Sequence, residues 1–209
     1  YKVKEHVPDQ YAVFERNDDY YGEPAKIRQY RVNCIPDSET RYSALISEEV
    51  MGLIDNGAIM IDTAVNLVNT DDRFVLEPTK SHMTHYMYVN GSKEYLSDVR
   101  LRQAISMALD RDLMNETLYA GLCQPAYSIL SYQTPLYKDI QGEYNLEKAK
   151  ELAKEVLGDT RLQTKMVLGQ RVVDGYPVRS MAEYIQSVLS ELGIDMEIEI
   201  QDNSLNTET

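Results

Sequence analysis

The run from Asp98 to Met114, Asp-Val-Arg-Leu-Arg-Gln-Ala-Ile-Ser-Met-Ala-Leu-Asp-Arg-Asp-Leu-Met, constrains the fold more than any other stretch of the chain. Leu101, Ala104, Ile105 and Ala108 recur at the i, i+3, i+4, i+7 spacing of a single buried helix face. Arg100 and Arg102 fall off that face and are expected to partner Asp98, Asp110 or helix carbonyls rather than to clamp a ligand. After a one-residue break, Asp110 offers a side-chain oxygen to cap a second helix starting at Arg111. Leu113, Met114, Thr117 and Leu118 make up the expected apolar side of that second helix.

The first third reads as β-rich. Residues 1–7 and 11–16 alternate or run apolar like paired strands, with Pro8-Asp9-Gln10 as the turn. Lys26 to Ile35 reads as another strand, and Ser38 as the cap of a helix carrying Tyr42, Leu45 and Ile46 inward. Arg73–Glu77 and His82–Val89 read as further strands, the second closing at the turn dipeptide Asn90-Gly91. Residues 121–144, with Gly121, Pro125, Pro135 and Gly142, carry no helical period and predict a long ordered loop. Asn145 caps a helix with Leu146, Ala149, Leu152, Ala153 and Val156 inward, and Gly158 lies past its end. Thr164–Leu168 is a short strand, Gly169–Pro177 a second loop, and Val178–Leu192 a helix with Met181, Ile185, Val188, Leu189 and Leu192 inward. Ile194–Ile200 alternates apolar and acidic residues as a half-exposed strand does, and the tail from Asp202 is expected to fray. Strands alternating with helices in the second half imply an α/β layered unit. A domain boundary is expected near Pro78–Ser81.

Charge and chemistry-bearing residues exclude several classes. A net charge of -13, from 34 acidic against 21 basic residues, argues against nucleic acid as a partner. No apolar run approaches the roughly 20 residues a membrane helix needs. The chain opens on Tyr1-Lys-Val-Lys, already strand-like, and is expected to be a piece of a longer protein. His82 and His85 would point to opposite faces of a strand, so no metal site is expected there. The carboxylate pairs Asp18-Asp19, Glu48-Glu49 and Asp71-Asp72 are adjacent rather than convergent, which does not suit a glycosidase. There is no nucleophile elbow and no phosphate loop, since the stretch from Gly169 to Gly175 lacks the following Lys-Ser/Thr. No catalytic residue, metal or cofactor is expected. Cys34 and Cys123 are expected to be two buried free thiols, with a disulfide as the alternative.

The order of residues at 98–114 also closely resembles the Asp-Val-Arg-x-Arg-Gln-Ala-(Leu/Ile)-x-x-Ala-(Ile/Leu)-Asp-Arg signature of the family 5 extracellular solute-binding proteins, the oligopeptide, dipeptide and nickel receptors of ABC importers. Four other segments resemble that family in the same order: Phe14–Gly22, Tyr86–Asn90, Tyr144–Ala153, and Ile185–Ile194 followed by Glu197–Glu199. In the first of them Asp18 stands in the family's proline position and Tyr21 in its tryptophan position. One segment departs: Leu53-Ile-Asp-Asn-Gly57 is followed by Ala58 and Met60, where the family often carries Glu and Asp.

The resemblance implies incomplete type II periplasmic-binding-protein-like lobes in an α/β fold. Residues 1–80 would form a β-rich part of the first, hinge-side lobe, and residues 81–209 an α/β part of the second. It implies a non-enzymatic receptor that captures a peptide or similar small solute between lobes and passes it to ABC permease subunits. It further implies an extracellular or periplasmic monomer, tethered by a lipid anchor outside this stretch. The alternative is the ligand-sensing domain of a cytoplasmic transcriptional regulator. Residues 124–137 resemble the family segment leading toward the cleft, and residues 169–179 follow a strand and precede a helix, where α/β lobes place ligands. Within these loops Tyr127, Tyr132, Gln170, Arg171, Tyr176 and Arg179 are the candidate ligand-binding residues, the arginines as carboxylate partners.

Overall fold

A computed structural model describes residues 1–201 apart from 55, 56, 80, 139, 141, 171, 172, 174 and 175. The tail expected to fray from Asp202 lies outside the described residues. The chain forms two compact units, Tyr1–Ile59 and Met60–Thr209.

The first unit is built on an antiparallel meander of β1 (Lys2–Val7), β2 (Tyr11–Glu15) and β3 (Gln29–Asn33). Asp9 adopts a φ of 58° in the β1–β2 turn, and the Gln10 amide closes it on the Val7 carbonyl at 3.2 Å. Phe14 pairs with Tyr30 across the ladder, and their rings stack at 5.1 Å, with Tyr1 edge-on to Tyr30 at 4.8 Å. Cross-strand aromatic pairs of this kind stabilise a small sheet beyond its backbone bonds. Helix α1 (Ser38–Ile46) follows, capped by Asp37, one residue earlier than expected, because its carboxylate accepts from the Thr40 amide.

The second unit holds the main core. Helix α2 (Ile61–Thr70) has no counterpart in the sequence reading. Helices α3 (Val99–Ala108) and α4 (Arg111–Tyr119) match the expected pair, capped by Asp98 and Asp110. Arg100 pairs with Asp98 at 2.8 Å and Arg102 donates to the Leu96 and Ser97 carbonyls, so both are structural. Helix α5 (Leu146–Leu157), capped by Asn145, packs against α3. Strand β4 (Leu162–Gly169), helix α6 (Val178–Glu191) and strand β5 (Ile194–Gln201) form a parallel βαβ unit, in register from Leu162 opposite Ile194 to Gly169 opposite Gln201. Arg161 and Gln163 both donate to Asp195 across the start of the two strands, which holds the Asp195 carboxyl down to about 2. Leu101, Ala104, Ile105, Ala108, Ala149, Ala153, Ile185, Leu189, Leu192 and Ile194 share one buried cluster, with Leu152 and Val156 half-buried against it.

Three expectations are corrected. Residues 73–77 and 82–89 are not strands: they have extended-type sequence, but no ladder partner is present among the described residues. The inward face of α4 is turned, with Leu113 and Thr117 exposed, Leu118 only half-buried and Tyr119 buried instead. The two cysteines are free as expected, yet both are exposed, since each lies just beyond the end of a regular element rather than within it. Among the described residues no helix is long and apolar enough to cross a membrane.

Candidate functional site

The two loops expected to face a ligand both belong to the second unit, and one extended segment touches both. Ser131, buried in the first loop, donates through Oγ to the Ser81 carbonyl at 3.1 Å. Four residues further along that segment, the His85 ring lies 4.9 Å from the ring of Tyr176 in the second loop, and the Tyr176 hydroxyl reaches Met83 Sδ at 3.9 Å. Residues 81–85 thus form a common floor. Sequence reading treated His82–Val89 only as a strand and missed this; the signal was the density of His, Met and Tyr in a stretch with no partner strand.

The described residues of the first loop are held by local chemistry. Ala120 takes the left-handed conformation at the end of α4, and Asn115 holds the chain beyond it, accepting from the Gly121 amide through its carbonyl and from the Cys123 amide through its side chain. Ser131 and Thr134 carbonyls then accept from the Thr134 and Tyr137 amides in successive turns. At the far end, the Asn145 amide returns to the Met107 carbonyl of α3 at 2.9 Å. The second stretch leaves the C-terminal end of β4 and enters α6 at Pro177, which supplies no side-chain cap; it was expected as a loop throughout, but Gln170 and Val173 are helical.

The candidate residues are placed as follows. Tyr132 lies on the first loop, 37% exposed, near Ile129 and Leu136, which are 72% and 96% exposed. Tyr127 sits at the neck of that loop, its ring 4.6 Å beneath the Arg111 guanidinium. Gln170 is exposed immediately after β4. Tyr176 is half-buried against Met83 and His85. Arg179 is exposed in the first turn of α6 and donates to Glu183 at 3.2 Å. Arg171 lies outside the described residues. Tyr132 and Tyr176 are therefore on loops joined by the 81–85 floor, while Tyr127 is engaged at the neck.

Beside the floor stands Tyr119, buried at the end of α4 with its ring 6.2 Å from His85. Its hydroxyl has no hydrogen-bond partner among the described residues, and burial pushes its ionisation well upward. Loss of water around the packed side of the His85 ring lowers that residue's affinity for a proton. An unpartnered buried hydroxyl costs stability, so Tyr119→Phe is expected to leave stability unchanged or raise it by about 1 kcal/mol. Thermal unfolding of the variant checks this, and a clear fall in Tm would show that the hydroxyl is bonded in solution.

The arrangement offers aromatic faces, amide and hydroxyl groups, and a helix N-terminus, which suit non-covalent recognition. Among the described residues no group of three or more His, Cys, Asp or Glu side chains is placed to hold a metal ion. His82 and His85 do not follow the expected strand geometry, and His85 instead packs between Tyr119 and Tyr176. A shallow concavity of about 870 Å³ lies elsewhere, between the second half of α6 and the starting ends of β4 and β5. Two of its acids, Glu191 and Asp195, are already paired with Lys150 and Arg161.

Comparison with known proteins gives a consistent picture. The model of the bacterial extracellular solute-binding proteins, family 5, middle region, matches residues 1–209. The nickel-binding periplasmic protein of Escherichia coli strain K12 is 26% identical over 213 residues, covering 94% of this chain and 40% of the relative. The oligopeptide-binding protein AppA of Bacillus subtilis is 28% identical over 213 residues, covering 96% of this chain and 38% of the relative. Among solved structures, NikA from Brucella suis in complex with Fe(III)-EDTA superposes with a TM-score of 0.81 at 25% identity, over 97% of this chain and 43% of that one. DppA from Helicobacter pylori in complex with the peptide STSA superposes at 0.70 and 25% identity, over 98% and 39%. The chain thus spans about two fifths of the length of the relatives it matches.

Proposed function

Because the chain belongs to the bacterial extracellular solute-binding proteins of family 5, we propose that it forms part of a receptor that captures a small solute, a peptide foremost, and delivers it to an ABC permease. The observation that carries the reading is the meeting of the two loops on residues 81–85. Relatives named for peptides, oligopeptides and nickel support a solute of that size. They are transport proteins, and give the regulator alternative no support. A peptide is favoured over a bare metal ion because the described residues of the loops present tyrosines and amides rather than a ligand set.

In this proposal residues 1–80 belong to the hinge-side lobe and residues 81–209 to the second. The compact units divide earlier, after Ile59, with α2 in the second of them. Solute would be enclosed by hinge closure, with Tyr132, Gln170, Tyr176 and Arg179 on one wall and Tyr127 shaping the first loop. The uncapped N-terminus of α6 favours a solute carboxylate near Arg179. The receptor would work outside the cytoplasm as a lipid-anchored monomer.

Native mass spectrometry of the full-length receptor purified from its host identifies the bound solute. In that receptor, Tyr132→Ala and Tyr176→Ala are each expected to weaken its binding by about tenfold or more while moving Tm little. Unchanged affinity in both would remove these loops from the site.

A further inference from the structure

We propose that Arg111 is the positioning residue of the first loop: it closes the neck of residues 124–142 and so fixes how the loop's tip is presented to solute. The inference rests on the proposal that this loop borders the solute. Arg111 is the first residue of α4, and among the described residues its half-buried guanidinium has no carboxylate partner. Its donors instead join two parts of the structure. Nη1 donates to the Ser106 and Leu109 carbonyls at 2.9 and 3.3 Å, and Nη2 to Ser106 Oγ at 3.1 Å, at the electronegative end of α3. Nε donates to the Ala126 carbonyl at 3.0 Å, and the flat face covers the Tyr127 ring.

The far end of the loop meets the same ring. A Cβ built on Gly142 would lie 1.9 Å from Tyr127 Cδ1, so the backbone at Gly142 approaches the ring more closely than any side-chain-bearing residue could. Arg111, Tyr127 and Gly142 therefore stack at the point where the loop leaves and returns, which is how a compact surface loop is closed on itself. Beyond this neck the tip carries the exposed Ile129, Leu130, Tyr132 and Leu136. A loop with so much exposed apolar surface keeps one orientation only if its base is held. The planar guanidinium holds three directions at once, two edges and a face, and a lysine ammonium cannot.

The test uses the full-length receptor and compares wild type with Arg111→Lys, Arg111→Ala and Tyr127→Leu. Hydrogen exchange is expected to quicken by about tenfold or more at the amides of residues 126–137 in all three, with α3 and α5 unchanged. Tyr127→Leu separates the clamp from simple helix capping, because it leaves the bonds to Ser106 and Leu109 intact. Unchanged exchange in the loop for Arg111→Lys and Tyr127→Leu would overturn the inference. The binding probe is a random tetrapeptide library read by native mass spectrometry, and retention is expected to fall in step with loop protection. Faster exchange with undiminished retention would keep the clamp but overturn its role in solute binding. If Tyr132→Ala also leaves retention undiminished, the failure belongs to the proposed site and not to Arg111.

Discussion

Leu101→Ala is expected to destabilise the second unit by about 3–5 kcal/mol, the largest loss from any single truncation in the chain. Leu101 is fully buried, and it sits on the face of α3 that packs against α5. The residues lining that contact are small: Ala104 and Ala108 on α3, Ala149 and Ala153 on α5, all at 0% or 1% exposure. Alanine rows let two helices approach closely, but they have no rotamers with which to fill a neighbouring hole. Truncating Leu101 therefore leaves a cavity that the site cannot collapse, and the loss should lie in the upper part of the range for such changes. Urea unfolding, with hydrogen exchange in α3 and α5 to assign the transition to this unit, measures it. A loss under about 1 kcal/mol would show that the two helices repack freely.

The second large effect concerns affinity. Residues 1–209 alone are expected to bind the receptor's solute at least about a thousandfold more weakly than the full-length receptor. In a two-lobed receptor most of the solute surface is buried only when both walls are present. One wall leaves the opposite face of the solute in water and its polar groups paired with solvent, while the entropic penalty of association remains. Calorimetry on the chain and on the full-length receptor, with the co-purifying solute, decides this. Comparable affinities would mean that the loops on residues 81–85 make a complete site by themselves.

Local pattern was enough for much of the second unit. The i, i+3, i+4, i+7 spacing at Leu101, Ala104, Ile105 and Ala108 named the residues that are buried. Asp110 and Asn145 were recognisable as caps because an Asx oxygen placed before an apolar period has amides within its own reach. The βαβ unit followed from two short strand patterns flanking a long amphipathic helix. These features depend on residues a few positions apart, and a sequence displays such neighbours directly.

What escaped the sequence depends on partners far along the chain. Residues 82–89 have strand-like residues, but a strand is defined by its neighbour, and none among the described residues pairs with them. Helix α4 buries Tyr119 rather than Leu118, and the ring Tyr119 meets, His85, belongs to a segment remote in sequence. Arg111 stood in plain view within the most informative stretch, yet its acceptors are backbone carbonyls, and every residue type carries one of those. The candidate site itself combines residues near 81–85, 119, 131 and 176, which come together only once the helices and the βαβ unit have packed. Sequence by itself determined the elements with short-range causes: helix faces, caps, turns and the family. The tertiary structure alone decided which loops share a floor and what holds them, because those contacts join groups dozens of residues apart whose meeting no local periodicity encodes.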